Sequence, residues 1–96
     1  EYNTAIADYT TAIRLDPDAA ADAYNGRGIA YADLEDYKSA ISDYTTAIRL
    51  DPDDAVTYSN RGIAKEKAGL SYCSDYKRAC ELGEKDCCEW YNDDCR

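Results

Sequence analysis

The sequence predicts an all-α fold in which antiparallel helix–turn–helix units stack side by side. Three observations lead there. Apolar residues recur at helical spacing through most of the chain. The signature EYNTAIADYTTAIRLDP at the start returns inside residues 21–54, ADAYNGRGIAYADLEDYKSAISDYTTAIRLDPDD. Gly28 recurs as Gly62, 34 positions on. A period of this length marks an array in which each unit has an apolar face it cannot bury alone.

Residues 1–15 place Tyr2, Ala5, Ile6, Tyr9, Ala12 and Ile13 on one stripe, the i, i+3, i+4, i+7 spacing of an amphipathic helix. Pro17 stops it by removing a backbone donor and restraining its predecessor, and Asp16 or Asp18 is expected to cap the next helix. That second helix is expected from about Ala20 to Leu34. Glycine inside a helix costs about 1 kcal/mol relative to alanine, so the recurrent Gly28 signals close helix contact. The third helix runs from Tyr37 to Leu50 and carries Ala40, Ile41, Tyr44, Ala47 and Ile48. Pro52-Asp53-Asp54 repeats the stop-and-cap signal, and a fourth helix is expected over about 55–68. After the turn Gly69-Leu70-Ser71, a fifth helix carries Cys73, Tyr76, Ala79, Cys80 and Leu82. It matches the third at an offset of 32. Gly83 stops it, and residues 86–94 form a short terminal helix. The chain thus reads as a single domain, 1–96, made of a half repeat (1–20), a complete repeat (21–54), a degenerate repeat (55–83) and a C-terminal capping helix (84–96). Because Glu1 falls in the middle of a repeat, the natural N-terminus is expected upstream.

Asp and Glu outnumber Lys and Arg 20 to 11, a balance of −9. That disfavours nucleic acid, which needs a basic footprint, and anionic membrane surfaces for the same reason. No apolar run approaches the ~20 residues of a membrane span, and no signal peptide is visible. With no histidine, no glycine-rich phosphate loop and no nucleophile motif, the chain is expected to be non-catalytic and to need no cofactor. No metal site is expected either, because C-x2-C spacing is absent and the acidic run 51–54 lacks a calcium loop's glycine and spaced ligands.

The residues of 21–54 resemble the tetratricopeptide repeat, whose pattern is W-x2-L-G-x2-Y, then A-x3-F, then P. Tyr24 stands in the tryptophan slot and Arg27 in the leucine slot. Gly28 and Tyr31 fit directly, Ala40 and Tyr44 fill A-x3-F, Ala47 takes the later small position and Pro52 closes the unit. Departures lie at Arg27, Arg61, Lys65 and Tyr72. The resemblance implies a right-handed superhelical solenoid, with the on-stripe tyrosines as packing residues.

The resemblance further implies that the first helix of each pair lines a concave groove. Its groove-facing positions would be Asp22, Asn25, Gly26, Ile29 and Asp33 in one unit, and Val56, Ser59, Asn60, Ile63 and Lys67 in the next. Asn25 and Asn60 can both donate to and accept from a peptide backbone. One family variant grips the C-terminal carboxylate of heat-shock chaperones with asparagines, lysines and an arginine. Only Asn60 matches it here: Asn25 stands where a lysine is wanted and Ile29 where an asparagine is wanted. On an acidic chain that argues against the clamp.

All five cysteines lie in the last quarter. Cys73 and Cys80 are two helical turns apart, as are Cys88 and Cys95. Folding back about Glu84 sets Cys80 opposite Cys88 and Cys73 opposite Cys95, leaving Cys87 over. The run from Ala79 to Gly83 with Cys88 also resembles cysteine-rich helical-repeat proteins secreted by bacteria, in which such pairs staple adjacent helices. The alternative is five reduced, half-buried thiols. Disulfides would imply a secreted or periplasmic setting; free thiols, a cytoplasmic one. Two function classes emerge: a scaffold binding a protein or peptide in the groove, and a self-assembling module whose first helix is covered by another chain as a homo-oligomer.

Overall fold

A computed structural model describes residues 1–95. Among them are six α-helices: α1 (Tyr2–Leu15), α2 (Ala21–Asp33), α3 (Tyr37–Leu50), α4 (Ala55–Lys67), α5 (Cys73–Glu81) and α6 (Lys85–Cys95). Each packs chiefly on its neighbours in sequence, and the stack measures 41 × 25 × 17 Å. This is an all-α solenoid of antiparallel pairs. Arg96, the last residue of the expected capping helix, lies outside the described residues.

Local chemistry sets the helix boundaries. Asp36 Oδ1 accepts from the Ser39 amide at 3.2 Å, and Asp54 Oδ1 accepts from the Val56 amide at 3.0 Å. Each caps one orphan donor at a helix start. The expected cap on α2 by Asp16 or Asp18 does not form: Ala20 is the N-cap, with no side-chain hydrogen bond. One more residue separates Pro17 from α2 than separates Pro52 from α4. That residue is accommodated by a single 3₁₀ turn, Pro17–Ala19, which carries the aspartates away from the α2 start. The turn after α2 needs a left-handed residue, and Glu35 takes it with φ 63°; Gly69 does so after α4 with φ 78°.

The recurrent glycines explain how the pairs close. A Cβ on Gly28 would stand 2.6 Å from the Tyr44 ring, and one on Gly62 would stand 2.6 Å from the Tyr76 ring. Both rings are buried against the bare backbone of the partner helix. Around them lie two small cores: Ala40, Tyr44 and Ala64, then Tyr76, Ala79 and Cys87. Tyr72 packs edge-on to Tyr76, with centroids 5.1 Å apart.

The arginines that depart from the repeat pattern have tertiary partners. Arg27 Nε and Nη2 donate to the two Asp43 carboxylate oxygens, both at 2.8 Å, and Nη1 donates to Thr10 Oγ1 at 3.1 Å. Arg61 repeats the arrangement with Asp75 (2.8 and 2.7 Å) and Thr45 (3.3 Å). Each guanidinium therefore ties its own pair together and reaches the second helix of the pair before. Lys65 joins the second clasp, 3.5 Å from Asp75. The Asp43 bond holds the Arg27 guanidinium more firmly protonated than usual, against a smaller opposing effect of burial.

The last two helices are joined covalently. Cys80 pairs with Cys88 (Cα–Cα 4.7 Å) and Cys73 with Cys95 (Cα–Cα 5.7 Å). Cys87 is free and buried. At the other end, α1 is covered on one side only: Ala5, Ile6 and Ile13 are half-buried, while Tyr2, Tyr9 and Leu15 are exposed.

Candidate functional site: a groove along α2, α4 and α6

The first helices of successive pairs lie close enough to touch directly. Asn60 Nδ2 of α4 donates to Asn25 Oδ1 of α2 at 3.2 Å. This bond uses one donor of Asn60 and one lone pair of Asn25. The Asn25 amide hydrogens and the Asn60 carbonyl oxygen keep hydrogen-bonding capacity beyond that bond.

Beside that bond lies a cavity of about 160 Å³, lined by Ile29, Ala32 and Asp33 of α2, Tyr37 and Tyr44 of α3, and Asn60, Ile63, Ala64 and Lys67 of α4. Its floor is aromatic and aliphatic because Tyr44 must fill the space over Gly28. Its rim is polar because Asp33 and Lys67 end their helices in solvent. Ile29 is 41% exposed, a large aliphatic group facing water. Burial, and next the nearby Asp33 carboxylate, push the Tyr44 phenol well above its ordinary range, so it is neutral at physiological pH.

A second cavity of about 250 Å³ opens on the other side of Ile63, between α4, α5 and α6. Glu66, Tyr76, Trp90 and Asp94 complete its walls. Tyr76 Oη donates to Glu66 Oε1 at 2.7 Å, and the Tyr76 and Trp90 rings stand 5.4 Å apart. Ile63 is shared by both cavities, so the two form one discontinuous groove.

The structure thus brings Ile29, Asp33, Asn60, Ile63 and Lys67 to one cavity, with Asn25 hydrogen-bonded at its edge. Asp22 is exposed on the first turn of α2, outside the cavity walls, and Val56 is exposed on the first turn of α4. Ser59 is buried and lies beside the Cys87 thiol of α6. Burial raises the Cys87 pKa, partly offset by Ser59, so this cysteine is a packed thiol and a poor nucleophile. Gly26 is not open to the groove as expected. The Tyr9 ring of α1 covers it, and a Cβ there would stand 2.5 Å from Tyr9 Cζ. Sequence reasoning passed over Tyr37, Glu66, Tyr76, Trp90 and Asp94. The one available signal was the lone tryptophan, placed on a helix that ends the array.

The family models that match are "Tetratricopeptide repeat" over residues 21–54 and "TPR repeat" over residues 1–35. Among solved structures, the Arabidopsis OM64 TPR domain is 30% identical with a TM-score of 0.80, over 85% of this chain and 69% of that one. The chain belongs to the tetratricopeptide-repeat family. The first TPR of Spaghetti (RPAP3), solved bound to the HSP90 peptide SRMEEVD, is 27% identical with a TM-score of 0.86, over 96% of this chain and 77% of that one. The TPR2B domain of yeast Sti1, in complex with pHsp70, shares the tetratricopeptide fold at 24% identity and a TM-score of 0.82, over 95% and 80% of the two chains. Comparison with curated protein sequences finds no match.

Proposed function

We propose that this tetratricopeptide-repeat chain is a non-catalytic scaffold that binds a protein or peptide segment along the groove of α2, α4 and α6. The observation that carries this reading is the pair of cavities about Ile63, with aliphatic and aromatic groups on the floor and amide and charged groups on the rim. Such a mixed surface suits an extended chain, whose backbone needs hydrogen-bond partners and whose side chains need pockets. The Spaghetti (RPAP3) domain, alike in fold over nearly all of this chain, holds a peptide, which supports the same class of ligand here. The proposed groove residues are Asn25, Ile29, Asp33, Asn60, Ile63 and Lys67, with Asp22 exposed one turn before Asn25 on α2. Ser59, buried beside Cys87, is not itself open to a ligand.

A panel of labelled peptides tests the reading by fluorescence anisotropy, with Asn25→Ala/Asn60→Ala compared with the natural chain. Binding lost in the double variant, with helicity retained, supports the groove. Binding unchanged in it removes the groove assignment.

A second reading, self-association, has the exposed Tyr2, Tyr9 and Leu15 of α1 in its favour. Light scattering across a concentration series tests it, and a strict monomer at high concentration rejects it.

A further inference from the structure

Building on the proposed groove, we infer that it selects a segment carrying both aliphatic and cationic side chains, and discriminates against acidic peptides. The size of the first cavity sets one half of the specificity. At about 160 Å³ it falls below the ~300 Å³ at which small-molecule sites begin. It is close to the ~150 Å³ of an apolar cavity that accepts a benzene-sized group. It therefore seats one side chain. The walls that side chain meets are Ile29, Ala32, Ala64 and Ile63, with the buried Tyr44 behind, and an aliphatic group is the match. The second cavity offers Ile63 again with the Tyr76 and Trp90 rings.

Charge sets the other half. Among the described residues, the charged side chains on the rims of the two cavities are Asp33, Glu66 and Asp94 against Lys67. Glu66, Lys67 and Asp94 are exposed, Asp33 is open to solvent at the end of its helix, and the chain as a whole carries −9. Glu66 already accepts from Tyr76, but a carboxylate keeps further acceptor sites free. A bound carboxylate-rich peptide would meet three like charges and one opposite charge. A segment with arginine or lysine between its aliphatic residues meets the reverse. The aromatic walls add a face on which a guanidinium can stack.

The test uses the full chain, non-reduced, and three labelled peptides of equal length: alternating leucine and arginine, alternating leucine and glutamate, and alternating alanine and arginine. The leucine–arginine peptide is expected to bind at least about tenfold more tightly than either other, and less tightly as salt is raised. Lys67→Glu, an exposed change that leaves the core alone, strengthens its binding. Ile63→Ala, with helicity checked by circular dichroism, weakens it. Equal or tighter binding of the leucine–glutamate peptide, still sensitive to Ile63→Ala, overturns the cationic specificity while leaving the groove in place. Equal binding of the alanine–arginine peptide reduces the effect to bulk charge and overturns the aliphatic pocket. Failure of all three peptides to bind removes both the specificity and the groove.

Discussion

Replacing Gly28 by alanine sets two opposing effects against each other. In a solvent-exposed helix the change stabilises by about 1 kcal/mol, because alanine restricts the unfolded chain and favours the helix. Here the new methyl would stand 2.6 Å from Tyr44 Cε1 and 2.8 Å from Cδ1. The Tyr44 ring is 2% exposed and hemmed in by Ala40 and Ala64, so it cannot swing aside without moving α3. Overpacking of a closed core costs typically 1–3 kcal/mol. Taking the middle of that range, Gly28→Ala destabilises by about 1 kcal/mol net, a fall of about 4–8 °C in melting temperature for a domain this size. Gly26→Ala is the control. The contact there is equally short, but the atoms met are the far end of Tyr9, a side chain on the open face of α1. That ring can rotate into solvent, so the propensity gain survives and the variant is at least as stable as the natural chain. Urea unfolding followed by far-ultraviolet circular dichroism measures both. Gly28→Ala matching or exceeding Gly26→Ala in stability would refute the ring-on-backbone account of how the pairs close.

Asp43→Ala leaves the Arg27 guanidinium partly buried without its bidentate partner, and should cost about 2–3 kcal/mol in the same urea experiment. A loss within error of an exposed change such as Lys38→Ala would mean the clasp is ornamental. Burial holds the Tyr44 and Tyr76 phenols protonated above the ordinary value of 10.0. Above that pH the unfolded chain has released protons that the folded chain still binds, so stability is undiminished below pH 10 and falls as pH rises beyond it. Denaturation midpoints across alkaline pH should show that fall, with a smaller one in Tyr44→Phe. Reduction should loosen the C-terminal end first: closing loops of 8 and 22 residues contributes about 2.5 and 3.4 kcal/mol on chain-entropy grounds. Thiol labelling should therefore reach Cys87 only once both bonds are open. Fast labelling of Cys87 in the oxidised chain would contradict its burial.

Most of the fold was legible because each helix carries its own period and each pair repeats its neighbour's signals. Tyr44 over Gly28 could be anticipated from the recurrence of Gly62. The seven-residue spacing of Cys73 with Cys80 and of Cys88 with Cys95 placed each pair on one helix face. What escaped were contacts between residues far apart in sequence whose types look out of place locally. Arg27 reads as a polar intruder in an apolar slot until Asp43, sixteen residues on, is seen to meet it. The clue was present: Arg27 and Arg61 are 34 apart, and Asp43 and Asp75 keep the 32-residue offset that relates α3 to α5. Helical spacing put Ile29 and Asp33 of α2 and Asn60, Ile63 and Lys67 of α4 on one side, and these line one cavity. The far end of the proposed groove was not legible, because the register of α6 depends on where the disulfides hold it. That register puts Trp90 and Asp94 into the second cavity and Cys87 over Ser59. Gly26 escaped for a related reason: helical geometry gives its direction but cannot show that Tyr9 already occupies the space.

Binding along α2, α4 and α6 is tested most directly by following amide and indole shifts during titration with the leucine–arginine peptide. Asn25, Ile29, Asn60, Ile63 and the Trp90 indole are expected to shift together in a saturable way, with Lys38, Thr45 and Lys77 unmoved. Saturable shifts centred on α3 and α5, with α2 and α4 silent, would contradict a ligand in the groove.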